Sequence, residues 1–228
     1  MFEDLKKTVL EANQLLVKSN LVILNWGNAS QIDEGRKYIA IKPSGVDYEK
    51  LKTDDIVITD LEGNVVEGNL KPSSDLRTHL EIYRNFKKVG GVVHTHSCFA
   101  TSWAQAGANI PVFGTTHADN FYGSIPCTRP LTNDEISGDY ELNTGKVIVE
   151  TFKGLDPVSI PGVVVYAHGP FTWGENAIKA VENSLVLEES SKMAYLTLAI
   201  NGTAKPINKE LLDKHFLRKH GDKAYYGQ

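Results

Sequence analysis

The sequence predicts an α/β protein in which amphipathic helices join an antiparallel sheet, and three observations carry that class. Apolar residues recur at helical spacing over 3–18, 75–86 and 176–200. Short β-rich runs, YIAIK, DIVIT and NVVEG, follow one another between polar turns of a few residues, the pattern of an antiparallel meander. The composition, 41% apolar and 23% charged with nine Pro and nineteen Gly spread along 228 residues, excludes collagenous, coiled-coil and disordered chains. A chain of this size can bury about 70% of its extended surface, so a core forms without disulfides. Neither a linker, a repeat nor a low-complexity segment divides it, and a single domain over 1–228 is expected.

Each element has a local reason. Leu5, Val9, Ala12 and Leu16 form one stripe of the first helix. YIAIK ends at Pro43, and DIVIT ends before the turn around Gly63. In SSDLRTHLEIYRNF either Ser73 or Ser74 can cap a helix over about 75–86, with Asp75 in its first turn and Leu76, Leu80 and Tyr83 on one face. GGVVHTHS reads as a strand, SCFATSWAQAG as a helix closed by Gly107, and GVVVYAHGP as a buried strand terminated by Gly169-Pro170. KVIVETF fits a strand or a buried helical turn equally well. Ile178, Val181, Leu185, Met193, Leu196 and Ile200 keep a stripe along the longest helix, with Glu188 and Lys192 as an outward i,i+4 pair. A last helix runs from Asn208 as cap to His220, stops at Gly221 and leaves a polar tail.

A formal net charge of −4 provides no global positive field, so neither nucleic acid nor a membrane surface is an expected partner. The densest basic run, Lys214 to Lys223, is short and includes Asp222. Cys98 and Cys127 stand at no zinc-finger or CxxC spacing, which suits a reducing compartment. The charged N-terminal stretch lacks the apolar core of a signal peptide, and no 18-residue apolar run occurs, so a cytoplasmic protein is expected.

The chemistry concentrates in three places. His94-Thr95-His96 lies on an expected strand, where side chains at i and i+2 share a face and can converge on one ion. His168, at the end of another strand, is the natural third ligand, and Asp75 the preferred carboxylate. Neutral imidazoles suit Zn²⁺, Mn²⁺ or Fe²⁺. His79 falls one turn after Asp75, where a solvated or capping role is preferred over ligation, and Cys98 continues the alternation after His96, where a buried free thiol is the commoner role. Three turns, Trp26-Gly27-Asn28, Lys42-Pro43-Ser44-Gly45 and Lys71-Pro72-Ser73-Ser74-Asp75, offer hydroxyls, N–H groups or ammonium suited to a phosphate, although Ser, Gly and Pro also simply make turns. In Gly114-Thr115-Thr116-His117-Ala118-Asp119, the last residue reads as a turn or cap and His117 as a satisfied hydrogen-bonding group, or the cluster supplies an acid and a base. Tyr225 and Tyr226 end the tail, where two aromatics suggest docking.

Together IKPSGVDY, VVEGNLKPSSD, VHTHS, GTTHAD, HGPFTWG and the KHGDKAYYGQ ending resemble the 4-epimerase branch of the class II, metal-dependent aldolases, the family that includes the adducin head. The likeness runs close to full length. It implies a three-layer αβα sandwich with a mostly antiparallel sheet, makes KVIVETF helical, and implies a fourfold-symmetric homotetramer with active sites between subunits. It implies one Zn²⁺ per subunit, or Mn²⁺ or another divalent ion, on His94, His96, His168 and Asp75. Phosphate would be held at Asn28, Lys42, Ser44, Gly45, Ser73 and Ser74. Asp119 and Tyr226, from a neighbouring subunit, would be the acid/base pair, with Glu141 and His215 lining the site. The implied reaction interconverts L-ribulose 5-phosphate and D-xylulose 5-phosphate by cleaving C3–C4, rotating glycolaldehyde phosphate and rejoining it, as in L-arabinose or other pentose catabolism. The alternatives are a fuculose- or rhamnulose-phosphate type aldolase, which carries Glu where this chain has Asp75, and a noncatalytic adducin-like module.

Overall fold

The computed structural model describes residues 2–221 and 224–226. Helix α1 (Glu3–Lys18) buries Val9, Ala12 and Leu16, each large side chain contributing about 1.5–3 kcal/mol. Strands β1 (Asn28–Ile32), β2 (Tyr38–Ile41), β3 (Val57–Asp60) and β4 (Val65–Glu67) form a meander, of which β2, β3 and β4 are the expected runs and β1 is a further strand. The chain then crosses through α2 (Leu76–Asn85) and returns as β5 (Gly91–His94) to pair with β1. Helices α3 (Cys98–Ala106), α4 (Thr115–Ala118), α5 (Asn133–Ser137) and α6 (Tyr140–Thr151) lead to the hairpin of β6 (Gly162–Val165) and β7 (Gly169–Gly174), and α7 (Ala177–Ile200) and α8 (Lys209–His220) complete the order. The seven strands lie in the order β4-β3-β2-β1-β5-β7-β6, every strand pairing antiparallel.

Strand alternation divides the core into two faces. Ala29, Ala40, Ile58 and Val93 meet α1 and the first turns of α7, whereas Ile39, Ile41, Val57 and Val92 meet α2, α3, α6 and the later turns of α7. The expected three layers result. KVIVETF is helical because Val147 and Ile148 face inward while Lys146 and Glu150 face outward, and a Cβ at Gly145 would sit 2.6 Å from Glu81 Cβ where α2 crosses.

Three expectations are corrected. GVVVYAHGP is not one strand: β6 stops at Val165, His168 lies in the turn, and Gly169-Pro170 begins β7. Proline is tolerated opposite Val164 because the Val164 N–H and carbonyl bond away from β7, to Pro126 and Thr128. Neither Ser73 nor Ser74 caps α2; Asp75 occupies the cap position without a side-chain cap bond, and Ser73 Oγ accepts only the N–H of Asp75 itself there, at 3.4 Å. Glu188 does not pair with Lys192, because its carboxylate accepts the Phe99 and Ala100 N–H groups at the start of α3, each at 2.8 Å. Among the described residues no helix is long and apolar enough to cross a membrane.

Candidate active site

Cross-strand register sets Asn28 directly opposite His94, and an antiparallel bridge between Pro43 and Pro72 joins the segment after β2 to the segment before α2. These two constraints bring a cleft of about 480 Å³ together at the ends of β1, β2 and β5. Asn28, Lys42, Ser44, Gly45, Ser73, Ser74, Asp75, His94, His96, His168 and Glu141 all line it, as do Trp26 and Tyr140. Eleven residues singled out from the sequence therefore meet in one place.

His94, His96 and His168 each offer a ligand atom within 4.8 Å of the others. The strand ends at His94, so His96 reaches the cluster from a loop rather than by strand alternation. His94 Nδ1 donates to the Pro170 carbonyl at 3.0 Å, which leaves Nε2 with a free lone pair in the neutral ring. That Nε2 stands 3.0 Å from His96 Nε2. Two nitrogens bound to one tetrahedral ion would be about 3.3 Å apart, so the pair fits a shared cation with little movement. Phe171 stacks on the His94 ring at 4.2 Å, and the Tyr140 hydroxyl lies 3.3 Å from His168 Nδ1, so both rings are held from behind.

Protonation favours the same use. Burial, reinforced by the neighbouring His94, lowers His96 and takes His168 down to about 3, so both are neutral lone-pair donors at pH 7. Burial works to raise Asp75, but His94, His79 and the amide of Asn28 outweigh it, and the carboxyl lies below its ordinary value. Asp75 lies beside the three histidines rather than in their tight set, its Oδ2 accepting from Asn28 Nδ2 at 2.7 Å. Asn28 also donates to Ser73 Oγ at 2.9 Å, while its own buried Oδ1 has no partner among the described residues.

The phosphate reading is amended in detail. The Ser44 and Ser73 N–H groups bond to the carbonyls of Lys71 and Lys42, so these two serines offer hydroxyls only. Lys42 is 2% exposed, its Nζ over the Tyr48 ring at 4.7 Å, and burial lowers its pKa. Lys71 is exposed and outside the cleft. Gly45, at φ +71° with open space around its Cβ direction, lets backbone approach a ligand closely. Gly27, at φ +97°, has a different reason: a Cβ there would sit 2.7 Å from the His94 carbonyl oxygen.

Asp119, His215 and Tyr226 form a second cluster away from this cleft. Asp119 follows α4 and accepts from His215 Nδ1 at 3.0 Å and from Arg218 at 2.9 Å, while Arg218 lies 4.3 Å from the Tyr226 ring centre. Burial would raise the Asp119 carboxyl, but the hydrogen bonds of Arg218 and His215 and the charge of Lys219 hold it below its ordinary value. The tail aromatics stay more than half exposed, touched by basic side chains of α8, with Lys214 over Tyr225 at 5.4 Å.

Two other assignments change. His79 is neither solvated nor a cap: it is fully buried, bonds through Nδ1 to Ser30 Oγ at 2.7 Å, and is driven down to about 3 by burial. Cys98 is the exposed first residue of α3 and continues no strand. His117 is satisfied, as read, by the Gly123 carbonyl at 2.9 Å. Tyr140 was missed; its only signal is adjacency to Glu141, and nothing in its spacing points to His168.

Residues 7–195 match the class II aldolase and adducin N-terminal domain family. The chain is 55% identical over 226 residues to proteins named L-ribulose-5-phosphate 4-epimerase UlaF from Salmonella paratyphi C and Salmonella choleraesuis, covering 99% of each. Among solved structures it resembles an L-fuculose 1-phosphate aldolase, with a TM-score of 0.79, 25% identity, and 93% and 94% of the two chains covered. An L-fuculose 1-phosphate aldolase from Glaciozyma antarctica PI12 has the same fold at 18% identity, with a TM-score of 0.77 over 97% of this chain and 84% of that one.

Proposed function

The chain belongs to the class II aldolase and adducin family, and on that premise we propose that it is a metal-dependent pentulose-phosphate 4-epimerase, interconverting L-ribulose 5-phosphate and D-xylulose 5-phosphate. The observation that carries this reading is the convergence of three histidines with a buried lysine, Asn28 and two seryl hydroxyls in one cleft of a chain 55% identical to named epimerases. A single domain spanning 1–228 performs the reaction.

C4 of a ketose phosphate is not adjacent to the carbonyl, so its hydrogen is not readily removed; breaking and remaking C3–C4 inverts the centre instead. His94, His96 and His168, with Asp75 beside them, would hold a divalent cation such as Zn²⁺ or Mn²⁺, which when bound would supply Lewis-acid stabilisation of the negative charge that cleavage develops. Lys42 offers desolvated positive charge to the phosphate, and Asn28, Ser44, Ser73, Ser74 and the backbone at Gly45 complete its cradle. With the phosphate anchored, the aldehyde fragment rotates and presents its other face. One group takes the C4 hydroxyl proton during cleavage, and one returns a proton to the C4 oxygen after re-addition. Asp119 and Tyr226 are suited to these roles, and Glu141 and His215 to lining the site.

Asp119 and Tyr226 stand outside the cleft of their own chain, which supports their donation to a neighbouring subunit of a homotetramer. The exposed Met193, Tyr195, Leu196 and Ile200 on α7 and the apolar groove between α3 and α7 suit such an assembly. The free thiols of Cys98 and Cys127 and a sugar-phosphate substrate support a cytoplasmic location. The decisive experiment incubates metal-loaded protein with L-ribulose 5-phosphate. D-xylulose 5-phosphate without free glycolaldehyde phosphate is the expected result; release of the aldehyde makes the protein an aldolase, and no turnover refutes both.

A further inference from the structure

We propose that Arg218 is a positioning residue that holds Asp119 and Tyr226 as one unit, so that both proton-handling groups are presented together; this rests on the epimerase reading. Arg218 lies in the last turns of α8. Its Nε donates to Asp119 Oδ1 at 3.2 Å, and its Nη2 donates to Oδ1 at 3.0 Å and to Oδ2 at 2.9 Å. The face of the same guanidinium lies 4.3 Å from the Tyr226 ring centre. Its carbonyl oxygen accepts the N–H groups of Tyr225 at 2.9 Å and Tyr226 at 3.1 Å. One residue therefore binds the carboxylate through its edge, the phenol ring through its plane and the tail backbone through its main chain.

Only arginine combines these contacts, because a planar fork grips a carboxylate along its edge while leaving a flat face to stack on an aromatic ring. Lys219 reaches both partners more distantly, with Nζ 3.9 Å from Asp119 Oδ2 and 5.4 Å from the Tyr226 ring centre, so it adds charge without fixing orientation. His215 Nδ1 lies 3.0 Å from Asp119 Oδ1, and His220 Nε2 contacts the Asp119 main-chain oxygen at 2.9 Å; neither touches the Tyr226 ring. Ala224, Tyr225 and Tyr226 belong to no helix or strand; the Ala224 N–H bonds to the Gly221 carbonyl, and the bonds to Arg218 orient Tyr225 and Tyr226. Asp119 and Tyr226 are separated by over a hundred residues of chain yet meet the same side chain.

The test is a double-mutant cycle on metal-loaded enzyme with L-ribulose 5-phosphate. Arg218→Ala is expected to lower kcat about a hundredfold, the effect of misplacing reacting groups by an ångström, with KM and metal content unchanged. In the Asp119→Asn or Tyr226→Phe background the same substitution is expected to cost less than about threefold, because the groups it orients are already lost. Arg218→Lys is expected to keep thermal stability and assembly but to recover only part of kcat, and it replaces Arg218→Ala in the cycle if that variant does not fold. A full hundredfold loss in both backgrounds, a loss confined to KM, or no loss at all overturns the positioning role. Unchanged kcat in Asp119→Asn and Tyr226→Phe themselves overturns the acid/base reading first, and the role of Arg218 with it.

Discussion

Replacing Gly27 by Ala tests whether the metal cluster depends on a single close backbone contact. The residue holds φ +97°, where an L side chain is strained, and the new Cβ would stand 2.7 Å from the His94 carbonyl oxygen, 3.0 Å from Val22 Cγ1 and 3.3 Å from Thr95 Cα. Val22 can rotate away, but the strand carbonyl must retreat by about 0.7 Å to restore an ordinary 3.4 Å contact. Strain of about 1–2 kcal/mol and backbone crowding of about 1–2 kcal/mol sum to about 3 kcal/mol. For a chain of this length that lowers Tm by about 6–12 °C, read by circular dichroism on metal-free protein. Because His94 moves with its carbonyl, metal affinity is expected to fall about tenfold or more, read by competition with a chromogenic chelator. Gly45→Ala is the control: at φ +71° with nothing near its Cβ direction it carries strain alone, about 1 kcal/mol, and leaves metal affinity unchanged. Equal Tm and equal metal affinity for the two variants would refute the reasoning.

Three other outcomes follow from the same geometry. His94→Ala or His96→Ala is expected to remove metal and turnover together, checked by elemental analysis beside the epimerase assay. Burial holds His117 at about 4, well under its unfolded value of about 6.5. The native state therefore refuses a proton that the unfolded chain accepts, and stability present above pH 6.5 is lost as pH falls towards 4, by about 1.4 kcal/mol per unit for this group. Tm is expected to fall between pH 7 and 5 and to fall less steeply in His117→Asn. Glu188→Ala leaves two N–H groups at the start of α3 without their acceptor and is expected to cost about 1–2 kcal/mol, measured by urea unfolding.

The candidate cleft was legible where a motif carries its own geometry. Asn28, Lys42-Pro43-Ser44-Gly45 and Ser73-Ser74-Asp75 lie at ends of elements that periodicity identifies, and all line the cavity. The details of their hydrogen bonding were not legible, because the Ser44 and Ser73 N–H groups are engaged by a bridge between segments almost thirty residues apart. His79 was misread for a similar reason. Its polarity suggests solvent, but Ser30 and Tyr83 supply a buried hydrogen-bonded chain that only the packing of α2 on β1 creates.

What the sequence determined by itself is local: the helical stripes of α1 and α2, the meander of short strands, the two-residue spacing of His94 and His96, and the cap at Asn208. Each follows from side-chain order along a few turns or a single strand, so no remote contact is needed to read it. The stripe expected on α7 is corrected: Leu185, Met193, Leu196 and Ile200 are exposed, and the helix buries Ala180, Ser184, Leu187, Ser191 and Ala194 instead, because small residues let it lie close on the sheet. The tertiary structure decided which distant groups meet. It ended β6 at Val165 and turned His168 onto the other two rings, turned Glu188 inward to cap α3, and gathered Asp119, Arg218 and Tyr226 on a surface outside the cleft. The physical reason is that hydrogen-bond partners and close approaches depend on where the chain reverses, and those reversals are chosen by burial of the whole core rather than by the residues at the turn.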